Sequence, residues 1–352
     1  MPDYSQAPAA PPAASAPVPN GPSTSALAPQ EDGGGAVVRL VARGGAGQRL
    51  DQFIAASLEG ISRTRVQRWI GLGAVRVDQA LRLPRYRLNG HEEIEVEPQP
   101  LESEQAFCAD PIALDLLYSD DDLIVINKPA GLVAHPAPGN WRNTLMNGLL
   151  FAFPASSRLP RAGIVHRLDR DTSGVLVCAK SERAFTSLSA QLANRTMSRQ
   201  YLAIARGAIG DSGTVTTPIG RDPRNRLRMA VVQPPHGRPA QTEYRVLARG
   251  VAEAGAHPHA ALECRLRTGR THQIRVHLAS IGHPLVGDTT YGGESRAGFE
   301  RQALHAWRLS LQHPGTGRTL AVDCPIPHDM THLAGQLGLR LEPLAPLPGQ
   351  GT

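Results

Sequence analysis

Hydrophobic and polar positions follow two different periods in the first part of the chain. Alternation with a period of two predicts three short strands, at 37–41, 75–77 and 93–96. Between them, apolar residues recur at helical spacing over 49–58, and Ser62 is a suitable N-cap for a second helix that runs through Ile70. The pattern predicts a small unit of two helices and a β-hairpin over 37–98.

Alternation returns farther along the chain and dominates it. Strands are predicted at 116–118, 123–126, 198–205, 239–247 and 261–266. An amphipathic helix is predicted over 181–197, where Ala184, Leu188 and Leu192 share one face. The strands at 239–247 and 261–266 flank a Gly/Ala-rich loop and are expected to pair antiparallel. We expect an α+β fold in which 113–335 forms a mixed, mainly antiparallel β-sheet with flanking helices.

Three segments lack any periodic apolar face. Sixteen of the first thirty residues are Ala or Pro, so we expect 1–36 to be a disordered tail. Residues 99–112 are predicted to be a polar linker between the two domains, and 336–352 a flexible C-terminus. The chain is therefore divided into two structured domains joined by the linker.

The composition of the chain indicates the kind of partner that the protein binds. The 352 residues are 41% hydrophobic, enough for two ordinary cores, and carry a formal net charge of +6. A basic excess spread through a chain of ordinary hydrophobicity favours a polyanionic partner, although an Arg-rich protein can be basic without one.

Cysteine and apolar content exclude other classes. The four cysteines are far apart and form no C-x-x-C motif, which argues against a thiolate zinc site and favours reduced thiols in a cytosol. The histidines, His272 and His277 above all, invite a metal interpretation, but their spacing matches no zinc helix. No apolar run of about 18 residues occurs. We expect a cytoplasmic protein with no metal and no membrane contact.

The most informative stretch of the chain is 163–180. Apolar runs at 163–165 and 175–177 read as strands, and between them lie nine polar or turn-prone residues with two carboxylates and three basic side chains. A loop fixed between buried strands can hold a charge in one position, as catalytic loops do. The alternative is a connection whose Arg and Asp residues merely pair at the surface.

The residues of this loop carry a resemblance. His-Arg-Leu-Asp-Arg-Asp-Thr-Ser-Gly, residues 166–174, resembles the signature loop of the RluA family of RNA pseudouridine synthases, whose catalytic aspartate corresponds to Asp169. Gly-Arg-Thr-His-Gln-Ile-Arg resembles the family's second motif, in which the last arginine, here Arg275, lies against that aspartate. In the family's Arg-Gln-Tyr block, the tyrosine that stacks on the target uracil corresponds to Tyr201.

Further blocks extend the resemblance over roughly 47–335 and to both domains. The first domain is similar to the S4 RNA-binding module. Asn-Lys-Pro-Ala-Gly-Leu resembles another block of the family, and its Lys128 is either a phosphate contact or a solvated lysine. His135-Pro136 followed by Gly139-Asn140 is closest to the RluD-type subgroup. The resemblance implies uridines of 23S rRNA, in the helix 69 stem-loop, as substrate. The partner is then this RNA or a pre-50S particle, and a monomer is expected.

The implied reaction sets requirements that the residues can meet. Converting uridine to pseudouridine breaks a C–N bond and makes a C–C bond without redox change or net hydrolysis, so no cofactor is expected. One ionised carboxylate must attack the anomeric carbon or remove a sugar proton. A guanidinium keeps such a carboxylate charged, which suits Asp169 with Arg275. The target base must also leave its stack. Arg167 is the candidate wedge, with His166 and Arg170 beside it on the substrate loop.

Other charged side chains are assigned supporting roles. Asp171 is expected to be structural, capping the loop through its own backbone. Clustered arginines are expected to contact RNA phosphates, which position the RNA without reading its bases. They lie on the second helix of the first domain and in the loop at 220–229: Arg63, Arg65, Arg68, Arg224, Arg226 and Arg228.

Two rival functions remain open at this point. A glycoside hydrolase needs a second carboxylate as acid or base, for which Asp171 or Asp288 are available, but it leaves Arg275 and the basic first domain unexplained. A non-catalytic RNA-binding or ribosome-assembly factor explains the first domain and the charge, but not the two motifs. One departure from the family pattern, Trp141-Arg142 in place of a small polar pair, is expected to alter substrate contacts.

Overall fold

The computed structural model describes residues 37–99, 104–137, 140–250, 257–296 and 298–341. The chain divides into two compact units, with the boundary between Leu101 and Glu102. The predicted disordered tail lies outside the described residues, as does most of the predicted flexible C-terminus. In the described residues, no helix has the length and apolarity needed to cross a membrane.

The first unit contains two helices and a small sheet. Its elements are β1 (Val38–Val41), α1 (Leu50–Ser57), α2 (Arg63–Gly71), β2 (Val75–Val77), β3 (Ala80–Leu81) and β4 (Glu93–Val96). The antiparallel strands follow the order β1-β4-β2-β3. The Ser62 side chain accepts the Arg65 backbone N–H at the start of α2, which confirms the predicted cap. Leu50, Ile54 and Trp69 are buried in the core beneath the sheet.

The second unit holds the remaining elements. They are β5 (Asp115–Ser119), β6 (Leu123–Lys128), α3 (Leu145–Ala152), β7 (Ser173–Ala179), α4 (Glu182–Ala193), β8 (Ser198–Arg206), β9 (Ser212–Val215), β10 (Ile219–Arg221), β11 (Met229–Val231), β12 (Thr242–Arg249), β13 (His259–Leu266), α5 (Gln273–Ser280), β14 (Leu304–Gln312), β15 (Thr319–Asp323) and α6 (His328–Gln336). Short 3-10 helices lie at Glu104–Phe107, Pro154–Arg158, Pro160–Gly163 and Thr289–Tyr291.

One large sheet organises this unit. The strand order is β5-β6-β7-β14-β8-β13-β12-β9, and β15 pairs with β14. Neighbouring strands are antiparallel except for β7 and β14, which are parallel. The predicted mixed, mainly antiparallel α+β fold is therefore confirmed. Strands β10 and β11 form a separate hairpin.

Both faces of the sheet are buried at its centre. Along β8, Tyr201 and Ala203 belong to one apolar cluster, whereas Leu202 and Ile204 belong to another on the opposite face. Successive side chains of a strand point to opposite faces. Because both faces are buried here, the segment 201–205 of β8 is a continuous apolar run. This central strand holds Tyr201 in a rigid position.

Several predicted boundaries differ from the structure. The run 163–165 is not a strand, because Arg161 and Ala162 adopt left-handed backbone angles that turn the chain, and Ile164 makes only an isolated bridge to Cys178. Helix α4 ends at Ala193 rather than near Met197, since Arg195 also adopts a positive φ of 61°.

The predicted linker and the Trp141-Arg142 departure meet inside the second unit. The side-chain amide of Asn147 on α3 donates to the carbonyls of Ala106 and Cys108, so the end of the 99–112 segment packs on the second unit. The Arg142 guanidinium donates to the carboxylate of Asp110. Arg142 therefore anchors this segment through an ion pair.

Candidate active site

Two glycines fix the ends of the loop that carries Asp169. A Cβ added to Gly163 would lie 2.0 Å from the Ala179 carbonyl oxygen, and one added to Gly174 would lie 2.1 Å from that of Ala306. Both glycines also have positive φ angles, which other residues rarely adopt. The loop is therefore clamped against β7 and β14, and its side chains are held in place at the pocket.

The side chain of Lys128 binds the backbone of the same loop. The sequence offered a phosphate contact or a solvated lysine, and both interpretations are wrong. Its ammonium is fully buried and donates to the backbone carbonyls of Pro129, Leu132 and Arg170. Burial lowers the pKa of Lys128 to about 7, although the charges of Asp171 and Asp169 oppose this shift. Lys128 positions the catalytic loop by binding three carbonyl groups.

Asp169 and Arg275 meet as the motif resemblance predicted. Nη1 of Arg275 donates to Oδ2 of Asp169 over 3.2 Å. The Asp169 side chain is 17% exposed and faces the pocket, whereas the Arg275 side chain on α5 is buried. The arginine thus binds one oxygen of the carboxylate from the buried side.

A second carboxylate, which sequence reasoning did not assign to this pair, orients the arginine. Nε and Nη2 of Arg275 donate to the two oxygens of Asp288 over 2.7 and 2.9 Å, and Asp288 is fully buried. Burial alone would lower the pKa of Arg275, but the hydrogen bonds and charge of Asp288, together with Asp169, raise it. Asp288 thus fixes the plane of the guanidinium and leaves Nη1 for Asp169. In the sequence, Asp288 had a role only as a carboxylate available to a glycoside hydrolase.

The pocket in front of Asp169 has a volume of about 460 Å³. Tyr201 lines it and is buried, and burial raises the pKa of its hydroxyl. Asp169 is the one carboxylate among the described lining residues, whereas the guanidinium groups that line it are Arg161, Arg167, Arg195, Arg199, Arg267, Arg270 and Arg275. A pocket of this charge suits a polyanionic substrate.

The substrate-loop residues fall in different places. Arg167 is exposed and lines the pocket, as a wedge requires. The His166 Nε2 accepts the Val177 backbone N–H, and burial, with a smaller contribution from the charge of Arg199, lowers the His166 pKa to about 3. His166 is therefore neutral and belongs to the pocket wall.

Arg170 lies away from the pocket lining. Its guanidinium donates to the carboxylate of Asp171. Asp171 thus pairs with a neighbouring side chain, and the expected capping of its own backbone is wrong. Base flipping by Arg170 remains a prediction.

His272 and Tyr291 form a contact that the sequence did not reveal. Nε2 of His272 lies 3.9 Å from Oδ1 of Asp169, and its Nδ1 lies 2.8 Å from the Tyr291 hydroxyl. That hydroxyl accepts the backbone N–H of Met229, the first residue of β11. His272 also has a positive φ of 55°, an uncommon conformation that occurs often at active sites. Asp169 is thereby connected to the β10–β11 hairpin.

That hairpin exposes the arginine-rich loop. Arg224 and Arg226 are exposed near its tip, beside Leu227, which is 88% exposed. Arg228 instead binds the carboxylate of Asp222 and the carbonyl of Thr290. Two of the three predicted RNA-binding arginines in this loop thus point to the surface, and the third also braces the loop.

The arginines of α2 do not form one open face. Arg63 donates to the buried carboxylate of Asp51. Arg65 donates to the Gln99 carbonyl and lies 5.2 Å from the centre of the Trp69 ring, whereas Arg68 is exposed. Residues two apart on a helix point to nearly opposite sides, so Arg63 and Arg65 do not share a face. Phosphate binding by the arginines of α2 stays a prediction.

Comparisons with known proteins agree with the fold. A family model described as RNA pseudouridylate synthase matches residues 122–280, and an S4 domain model matches residues 48–94. The chain is 48% identical over 305 residues to "Ribosomal large subunit pseudouridine synthase D" of Neisseria meningitidis serogroup A, which covers 84% of this chain and 80% of the relative.

Two further similarities extend this finding. A protein of the same description from Nitrosomonas europaea is 49% identical over 296 residues, with 82% of this chain and 84% of the relative covered. The solved structure of "Human RNA Pseudouridylate Synthase Domain Containing 1" is 29% identical with a TM-score of 0.51, and covers 66% of this chain and 91% of that chain.

The chain belongs to the RNA pseudouridylate synthase family. It is an RNA pseudouridine synthase with an S4 domain, and the resemblance in the motifs is confirmed.

Proposed function

We propose that this enzyme isomerises uridines of large-subunit ribosomal RNA to pseudouridine, and that its target lies in the helix 69 stem-loop of 23S rRNA, free or in a pre-50S particle. The printed description of the relatives supports the large subunit as substrate. The S4 domain and the net charge of +6 support a large RNA.

The observation that carries the chemistry is the arrangement of Asp169, Arg275 and Asp288. Asp288 takes two N–H groups of the guanidinium, so Arg275 presents the remaining Nη1 to Asp169. Asp169, held beside this charge, attacks C1′ of the target nucleotide or removes its C2′ proton. Both routes need the carboxylate at the sugar, in the pocket where it lies.

The base-binding assignment follows from depth in the pocket. Arg167 at the exposed rim takes the place of the flipped uridine in the RNA stack. Tyr201 lies deeper and provides an apolar platform for the uracil ring. Unstacking a base costs a few kcal/mol, which contacts of this kind offset.

RNA outside the pocket is held through phosphates. Arg224 and Arg226 on the β10–β11 hairpin, together with Arg68 on α2, are the exposed cations that we assign to this role. Such contacts supply affinity that depends on salt and carry no base specificity.

A glycoside hydrolase is the weaker candidate. It needs a second carboxylate free to act as acid or base. Both oxygens of Asp288 are bound to Arg275, and Asp171 is paired with Arg170. A purely RNA-binding factor leaves the pocket carboxylate without a role.

The test is a pseudouridine map of 23S rRNA. Purified enzyme is incubated with an unmodified 23S transcript and, in parallel, with pre-50S particles, and carbodiimide-reactive positions are read by primer extension. We expect new pseudouridines in helix 69 with wild type and none with Asp169→Asn. Pseudouridines confined to other regions would overturn the helix 69 assignment, and none in either RNA would overturn the large-subunit substrate.

A further inference from the structure

Arg199 is a buried cation inside the pocket that the proposed mechanism does not use. It lies on β8 two residues before Tyr201, and alternation along a strand places both side chains on the same face. Both line the pocket. Arg199 is only 9% exposed, whereas Arg161, Arg195 and Arg267 lie at the exposed rim. Arg199 thus sits at the depth of the tyrosine platform.

The guanidinium of Arg199 has no anionic partner in the part of the chain that the structure describes. Its Nε is buried and finds no acceptor there, and no ion pair with a described carboxylate holds it. Arg275, the other buried arginine of the pocket, is bound to two carboxylates. A buried charge is costly unless it is paired, so the unpaired Arg199 points to an anion that arrives with the substrate.

The guanidinium of Arg199 lies close to the backbone of Gly269. A Cβ added to Gly269 would lie 2.9 Å from Nη1 of Arg199, so any other residue there would crowd the guanidinium. His166 on the pocket wall is neutral, because burial and the charge of Arg199 lower its pKa to about 3. Asp169 is already held by Arg275. The local field around Arg199 is therefore positive before the substrate binds.

Two parts of the substrate can supply this anion: an RNA phosphate, and the uracil, which becomes an anion when the C1′–N1 bond breaks. Phosphates lie on the outside of the nucleotide and are matched by the exposed arginines of the rim. The uracil enters to the depth of Tyr201, next to Arg199. We propose that Arg199 binds the uracil ring and stabilises the negative charge that it carries after the C1′–N1 bond breaks. This inference rests on the proposed function.

The step balances without any further reactant. When the C1′–N1 bond breaks, its electron pair stays on the uracil and spreads over N1 and the two carbonyl oxygens. C1′ regains its bond from Asp169, or Asp169 takes the C2′ proton. The rotated ring then bonds to C1′ through C5. In the first route the C1′–O bond to Asp169 breaks as this bond forms, and in the second the proton returns from Asp169 to C2′. The C5 proton leaves, and N1 gains a proton. A fixed cation beside the carbonyl oxygens lowers the barrier because the charge develops there in the transition state.

The experiment compares three variants by single-turnover rate at saturating 23S transcript and by dissociation constant. Arg199→Met keeps the length of the side chain and removes its charge, Arg199→Lys keeps a charge, and Arg318→Met removes the same charge from an exposed turn far from the pocket lining. We expect Arg199→Met to lower the rate by about 10²–10³-fold with little change in affinity. The rate of Arg199→Lys should be at least about tenfold higher than that of Arg199→Met. Arg318→Met should match wild type.

A second substrate separates charge stabilisation from a structural role. In a transcript with 5-fluorouridine, the fluorine withdraws electrons and stabilises the uracil anion by itself. The rate is measured as disappearance of the starting nucleoside. The ratio of the wild-type rate to the Arg199→Met rate should be about tenfold smaller on this transcript than on the uridine transcript. Melting curves establish whether each variant is folded.

Three results would overturn the inference. A wild-type rate with weaker binding would make Arg199 a phosphate contact. Equal deficits on uridine and 5-fluorouridine, or a lysine variant no faster than the methionine variant, would mean that charge on the uracil is not what Arg199 stabilises. Wild-type enzyme that modifies neither transcript would remove the proposed function and this inference with it, whereas the three results above leave the function intact.

Discussion

The two units of this enzyme each contain a cluster of arginine and aspartate side chains. A carboxylate is at the centre of one cluster, and a guanidinium is at the centre of the other. In the S4 unit, one fully buried carboxylate, Asp51, accepts hydrogen bonds from Arg49, Arg63 and Gln67. In the catalytic unit, one buried guanidinium, Arg275, lies between Asp169 and Asp288. The first cluster surrounds an anion with donors, and the second surrounds a cation with acceptors.

The two clusters differ in how many acceptor sites of the carboxylate remain without a hydrogen bond. A carboxylate offers about four acceptor sites. The side chains of three residues fill those of Asp51, and their hydrogen bonds outweigh burial and lower its pKa. Within the described residues, Asp169 accepts a single side-chain hydrogen bond, over 3.2 Å, and faces the pocket. A saturated carboxylate stabilises the fold, whereas a carboxylate with free acceptor sites at a pocket can react.

Among the variants that test this comparison, Arg275→Ala is expected to have the largest effect. It removes the partner of Asp169 and also leaves Asp288 buried without a cation. Breaking such pairs costs about 2–5 kcal/mol, which corresponds to a loss of turnover of roughly 30- to 4000-fold. Single-turnover rates at a temperature well below melting separate this loss from reduced stability. A wild-type rate across neutral pH would show that the ion pair does not serve the reaction.

A smaller effect, on stability rather than chemistry, is expected from Asp51→Asn. Because folding lowers the pKa of Asp51, its contribution is present above the ordinary carboxyl pKa of about 4 and is lost as the pH falls through the folded-state value. The variant should lose about 2–3 kcal/mol at pH 7 and less at pH 3. The measurement is hydrogen-exchange protection of the 50–71 peptide in the full chain, corrected for intrinsic rates. The same loss at both pH values would show that the charge of Asp51 is not involved.

The smallest effect concerns residues outside both clusters. Arg224→Ala combined with Arg226→Ala removes two exposed charges from the hairpin tip. The slope of log affinity against log salt should fall by about 0.9 for each phosphate that the variant no longer neutralises, while the single-turnover rate at saturating RNA stays the same. Arg318→Ala is the matched control. An unchanged slope would mean that the hairpin does not bind phosphates.

Much of the fold could be predicted from the sequence, because periodicity reports burial directly. The alternation in 198–205 became β8, and Ser62 caps α2 as expected. The failures came from backbone geometry that side-chain pattern does not encode. The apolar run 163–165 looked like a strand, but two residues in left-handed conformation turn the chain just before it.

The site was predictable only in part. Asp169 and Arg275 lie in motifs of local sequence and could be paired through the family resemblance. Lys128, Asp288 and Arg199 could not be assigned, because their roles depend on burial and on partners distant in the sequence. The arginines of α2 show the converse, since they cluster in the sequence but the structure engages Arg63 and Arg65 in separate tertiary contacts.

The most direct measurement compares Asp169→Asn and Asp288→Asn by single-turnover pseudouridine formation on the same 23S transcript. Both changes remove one charge next to Arg275 and keep the shape of the side chain. We predict that Asp169→Asn forms no detectable product at unchanged RNA affinity, while Asp288→Asn retains a reduced but measurable rate of about 1–10%. Turnover by Asp169→Asn, or equal inactivity of both variants, would contradict the assignment of Asp169 as the reacting carboxylate and Asp288 as its positioning partner.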